Sequence, residues 1–287
     1  MFEWIALIVA FVGSAIAAAW DLKTTEIPDQ IPHAMMVFGV GFWLVQSVLQ
    51  NNYWLVGNSL IFGLSFLGMG FILYFLGQWG GGDAKILSAI GFLLPVPISG
   101  FPVQTLFPFP ITYVINVFLV GAVYMMVYAF VLALINKKIL IEFWKEIKAS
   151  TNLLLFGSSA VFITFFFFNW YLLNLFDTFS YRLLLTNSIF PFVALLFLFF
   201  IWKFARKVEE VGFKRKIPMS KLRVGDVPAD WKVWEGINEK QLKKLKQSRK
   251  KYILIKEGVR FAPAFPLALI FTLLVGDSLV LLINIFL

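Results

Sequence analysis

The chain contains no cysteine and a single histidine, His33. Disulfides, thiol nucleophiles and cysteine-ligated metals are thereby excluded. A multi-histidine metal site is excluded too, and a serine–histidine–aspartate relay would have to run through His33. Charge is also scarce: 14% of the residues are charged and 60% are hydrophobic. A soluble domain carries roughly a quarter charged residues. This composition, with a mean hydropathy of +0.83, describes an integral membrane protein. The opening Met1-Phe2-Glu3-Trp4 lacks the basic region that precedes a cleaved signal segment, so residues 2–20 read as a retained span.

What is abundant is apolar sequence. A helix needs about 20 residues to cross roughly 30 Å of hydrocarbon. Apolar runs fall at 2–20, 34–50, 54–77, 84–98, 111–135, 152–174, 184–203 and 261–286, the fourth being short. The expected fold is an all-α polytopic membrane protein with about eight transmembrane helices, within a range of six to eight. Cytoplasmic loops carry the excess of lysine and arginine. With eight crossings and both termini outside, Arg182 is the one outer basic residue among 25. The reverse orientation violates the rule almost completely. Asp21, at the end of the first span, and Asp83, before the fourth, then share the cytoplasmic face.

Five segments follow: a transmembrane core at 1–135, a basic amphipathic connector at 136–151, further transmembrane helices at 152–203, a small basic cytoplasmic subdomain at 204–258 and a C-terminal transmembrane helix at 259–287. The connector suits either an anionic leaflet or a solvated position. Residues 204–258 hold 16 Lys or Arg against seven Asp or Glu. No nucleic-acid module is recognisable there, so lipid headgroups explain the charge more simply than nucleic acid. A helix is expected over 238–256, and Gly225-Asp226 reads as a turn or a solvated ion pair. The run Phe165–Phe168 reads as lipid-facing bulk.

The stretch Trp79-Gly80-Gly81-Gly82-Asp83-Ala84-Lys85 lies between two apolar runs. A carboxylate at a membrane boundary is costly unless solvated, paired or used. Asp83 is placed to cap the helix that follows. The glycines read either as a flexible turn or as bare backbone for an extended substrate. Asp21 is followed by Pro28 and Pro32, which stop helix 1 from running into helix 2. Two carboxyls at short range cannot both ionise; one keeps a proton while the other activates water. That chemistry needs no nucleophilic side chain, histidine, metal or cofactor. Lys23 and Lys85 flank the pair, and holding the loops to headgroups is favoured over shifting a carboxyl pKa. Pro263 and Pro266 leave irregular backbone near the same face. Asp277, further along, reads as a proton or ion site or as a protonated group bonded to a neighbouring helix.

These residues carry a resemblance. Gly80-Gly81-Gly82-Asp83 fits the Gly-x-Gly-Asp signature of intramembrane aspartic proteases. Asp21, followed by Lys23 and Glu26-Ile27-Pro28-Asp29, resembles the archaeal type IV prepilin and preflagellin peptidases. The tail Gly258–Asp277 is similar to the C-terminal span of longer archaeal members. The resemblance implies an aspartic endopeptidase with Asp21 and Asp83 as the catalytic pair, acting at the cytoplasmic face of the cell membrane. Gly80, Gly81, Gly82, Pro263 and Ala264 are the matching candidates for substrate contact. The implied partners are precursors with class III, pilin-like signal peptides, cut behind a short basic leader, together with membrane lipids; no metal, cofactor or nucleic acid is implied. The missing cysteines separate the chain from bacterial prepilin peptidases with a cysteine-bearing domain and methyltransferase activity, so peptidase activity alone is expected. Presenilin-like and signal-peptide-peptidase-like enzymes carry Tyr-Asp and Pro-Ala-Leu, where this chain has Trp20-Asp21 and Pro263-Ala264-Phe265. Three alternatives stand beside this reading: a presenilin-like protease cutting within a helix, an ion-coupled transporter using Asp21, Asp83 and Asp277, and a membrane scaffold binding a partner through 204–258.

Overall fold

The computed structural model describes residues 2–100, 106–231, 236–248, 251–256 and 258–280. Part of the proline-rich loop 95–110 and the end of the run 261–286 lie outside the described residues. In chain order the elements are α1 (Glu3–Thr24), α2 (Gln30–Leu49), α3 (Trp54–Phe75), α4 (Gly81–Leu93), α5 (Phe109–Ile135), α6 (Lys137–Ala149), α7 (Thr151–Leu175), α8 (Tyr181–Lys207), β1 (Lys214–Pro218), β2 (Val227–Pro228), α9 (Glu239–Lys246), β3 (Tyr252–Lys256) and α10 (Ala264–Val275). Among the described residues, six helices are long and apolar enough to cross a membrane: α1, α2, α3, α5, α7 and α8. The protein is an all-α, multi-pass membrane protein.

The chain divides into two compact units, with one boundary inside α5. The first comprises 1–128, 222–249 and 256–287. Its centre is α4, the expected short span. With 13 residues it is about 20 Å long at 1.5 Å per residue, shorter than the apolar helices packed around it. Ala84 and every residue from Ile86 to Leu93 are buried, with α1, α2 and α3 packed around them. Small residues on α3 permit the approach: a Cβ on Gly70 would lie 2.7 Å from Ala84 Cα. Polar side chains of the neighbours satisfy the carbonyls that end α4. Trp43 Nε1 donates to Leu93 O at 2.9 Å and Ser59 Oγ to Phe92 O at 2.7 Å.

Two expectations change towards the C-terminus, and the turn expected at Gly225-Asp226 is found. The run 261–286 is no single helix, since α10 ends at Gly276, whose φ is +80°. The helix expected over 238–256 shortens to α9, where Asn238 and Gln241 cap each other reciprocally at 2.8 and 2.9 Å. Tyr252-Ile253-Leu254-Ile255 then forms a strand, as β-branched and aromatic residues favour. Asp226 makes a turn: its Oδ2 accepts from Arg223 N at 2.7 Å, with Gly225 at φ +98°.

The second unit comprises 129–221 and 250–255. Here β1 pairs with β3. The connector is the expected amphipathic helix, α6, with Ile139, Phe143 and Ile147 buried at every fourth position. Its apolar stripe packs on protein, not lipid: Phe143 meets Phe200 and Phe204 at 6.4 and 5.6 Å between ring centres. Its Glu146 accepts from Lys203 and Lys207 of α8 at 2.6 and 2.5 Å. No residue of α7 is buried, so Phe165–Phe168 sit on an outward-facing helix.

Candidate active site

Asp21 lies in the last turn of α1 rather than after it, and it is 4% exposed. The helix ends at Thr25, which takes a left-handed φ of +61° and donates its N–H to Asp21 O at 2.8 Å. That conformation is uncommon for a β-branched residue. It turns the chain so that Ile27 and Asp29 reach the start of α4. Ile27 packs on Gly82, where a Cβ would come within 2.9 Å of Ile27 Cβ. Lys85 Nζ meets Asp29 Oδ1 at 2.6 Å, and this bond holds the Asp29 carboxyl below the usual carboxylate range. Lys85 therefore ties α4 to the segment between α1 and α2.

Asp83 is 6% exposed. It is the third residue of α4 and not its cap; Gly80 occupies the cap position. The Asp83 side chain reaches back, with Oδ2 accepting from Gly80 N at 3.1 Å, as an acidic residue does in the reciprocal half of a capping box. Its other oxygen, Oδ1, is buried without a hydrogen-bond partner among the described residues. Asp21 stands near enough for its charge to act on the Asp83 carboxyl. The structure thus brings together the two carboxyls that the sequence singled out.

The third wall comes from the C-terminal segment. Ala262 N donates to Asp21 Oδ2 at 3.0 Å. The segment is moored to α5, with Tyr124 Oη donating to Arg260 O at 2.9 Å and Arg260 Nη1 to Tyr128 Oη at 3.1 Å. Trp79, just before the glycines, packs against Phe118, Phe261 and Phe265 at 5.3–5.8 Å between ring centres. Sequence reasoning missed Ala262, Arg260, Tyr124 and Tyr128. The available signal was Pro263, which marked irregular backbone at this level; the group used is an N–H and not a carbonyl. Gly80 is exposed and Gly81 and Gly82 half-buried, whereas Pro263 and Ala264, expected beside substrate, are buried. The contact face of Gly82 is occupied by Ile27.

Fold and site together define a class: a polytopic helical membrane protein with two buried carboxyls on separate helices, near enough for the charge of one to act on the other. Residues 8–137, which contain Asp21 and Asp83, match the type IV leader peptidase family. The chain is similar to the prepilin peptidase EppA of Methanothermobacter thermautotrophicus, 28% identical over 178 residues, which covers 57% of this chain and 46% of the relative. It is similar to a preflagellin peptidase of Methanocaldococcus jannaschii, 32% identical over 117 residues, covering 38% of this chain and 50% of the relative. A preflagellin peptidase of Methanococcus maripaludis is 36% identical over 89 residues, covering 31% and 38%. The chain thus spans half or less of the length of these curated relatives. The resemblance to archaeal prepilin and preflagellin peptidases is borne out.

Proposed function

We propose that this chain is a membrane aspartic endopeptidase and that Asp21 and Asp83 are its catalytic pair. The observation that carries the reading is the convergence of these two buried carboxyls within a segment that matches type IV leader peptidases. Water between the carboxyls loses a proton to the ionised one as it attacks the scissile carbonyl carbon. The protonated partner donates to the carbonyl oxygen, and a proton passes to the nitrogen as the C–N bond breaks. The N–H groups of Ala262 and Gly80 each hold one carboxyl oxygen. They orient the pair and leave Asp83 Oδ1, buried and unpartnered among the described residues, free to exchange a proton with the attacking water. Neither step needs a metal or a cofactor.

The proposed substrates are precursors with class III signal peptides, of pilin or archaellin type, carrying a short basic leader before an apolar helix. The distribution of basic residues supports a site facing the cytoplasm, where such a leader would lie. The extended substrate runs along the bare backbone of Gly80, which is exposed, and of Gly81, which is half-buried. The bond cut lies outside the apolar helix, within reach of water. Incubating the membrane-embedded chain with such a precursor and mapping the products by mass spectrometry tests the reading. One cut at the leader–helix junction is expected. A cut deep within the apolar helix would assign the chain to the presenilin-like alternative, and no cut would refute the proposal.

A further inference from the structure

Buried polar groups also gather at a place the dyad does not use, where α10 ends against the first half of α5. Asn116 of α5 is fully buried. Its Nδ2 donates to Thr272 Oγ1 at 3.0 Å and to Gly276 O at 2.6 Å. A carbonyl only accepts, so the amide orientation is fixed and Oδ1 is the acceptor. That oxygen is buried without a partner among the described residues. Asp277, the residue after Gly276, is 1% exposed. Its Oδ1 accepts from Leu279 N at 3.0 Å, while Oδ2 is buried and likewise unpartnered. Buried acceptors are nearly always satisfied, and a carboxylate inside a membrane domain is paired or in use. Two orphaned acceptors beside one Asn116–Gly276 bond call for a donor or a cation.

We infer that Asn116 Oδ1 and Asp277 Oδ2 belong to a binding site for a small monovalent cation, with sodium as the ion of matching chemistry. Carboxylate and amide oxygens suit hard ions. One carboxylate balances one positive charge, and among the described residues no group of three or more His, Cys, Asp or Glu is placed to hold a metal ion. The site departs from the expectation of a chain that needs no ion. It also has a structural consequence: α10 starts two residues after Ala262, whose N–H holds Asp21. An ion joining the far end of α10 to α5 steadies the helix that adjoins that N–H.

The test uses the purified full chain in detergent, comparing its melting temperature in sodium chloride and in choline chloride at equal ionic strength. Retention of radiolabelled sodium is measured alongside. The melting temperature rises with sodium, as ligand binding to the folded state requires, and does not rise with choline. Labelled sodium is retained saturably and displaced by unlabelled sodium, and Asp277→Asn loses both the shift and the retention. Identical melting in the two salts, no saturable retention by the wild type, or unchanged retention in Asp277→Asn overturns the site. Stabilisation by acid alone, with no sodium dependence, overturns it as well, since a proton then fills the role. Should Asp277→Asn not fold, Asn116→Ser carries the same expectation of weakened retention, and undiminished retention in that variant overturns the site. None of these readings depends on peptidase activity, so a failed cleavage assay and a failed ion site are distinguishable.

Discussion

Gly82 shows how a single missing side chain sets the geometry of the candidate site. A Cβ there would lie 2.9 Å from Ile27 Cβ, closer than carbon atoms pack, and the segment that carries Ile27 follows directly from Asp21. Gly82→Ala is expected to destabilise the protein by about 1–3 kcal/mol, the usual range for overpacking. It should also slow cleavage by moving Asp21 and Asp83 apart. Adding Ile27→Ala relieves the clash, so thermal unfolding of the double variant is expected to show a smaller loss than the sum of the singles. Strict additivity would mean that the two residues do not press on each other. Asp21 and Asp83 depend in a similar way on small groups, since each has one oxygen held by a backbone N–H, of Ala262 and of Gly80.

At the scale of elements, α6 is held to α8 by apolar packing and by Glu146, which accepts from both Lys203 and Lys207. The hydrogen bonds from Lys203 and Lys207 lower the Glu146 carboxyl from its ordinary 4.5 to about 2. Its stabilising contribution is therefore complete above pH 4.5 and is lost as the pH falls through about 2. Glu146→Gln is expected to cost ~1 kcal/mol at neutral pH, the scale of a solvent-screened ion pair. Melting curves of the variant are also expected to lose the part of the acid sensitivity that lies between those two values; an unchanged acid profile would remove Glu146 from that role. The amphipathic pattern of 136–150 was legible because Ile139, Phe143 and Ile147 recur at helical spacing. What covers that stripe was not, since facing residues such as Phe200 and Phe204 lie some sixty positions away. The same holds for α4. Its apolar sequence reads alike for a lipid-exposed crossing and for a buried core helix, and only the packing of α1, α2 and α3 around it decides. The two carboxyls were legible because polar groups stand out in apolar surroundings. Ala262 was not, because a backbone N–H leaves no mark in the sequence.

For the molecule as a whole, the proposed function requires one direction across the membrane, with the two carboxyls toward the cytoplasm. The chain has no cysteine, so single introduced cysteines report sidedness without background. With a membrane-impermeant maleimide, Asn52→Cys and Asp177→Cys are expected to react from outside the cell, and Lys145→Cys and Lys240→Cys only after the membrane is opened; all four positions are exposed. The opposite pattern would place the dyad on the wrong face for a leader held in the cytoplasm. The central claim is that the two carboxyls act as one catalytic unit. It is tested most directly by incubating a precursor with the membrane-embedded wild type and with Asp21→Asn and Asp83→Asn, each checked for unchanged elution and melting. Loss of either proton-transferring group is expected to lower cleavage by roughly 10²–10⁴-fold or more. Cleavage at near wild-type rate by either folded variant would contradict the account.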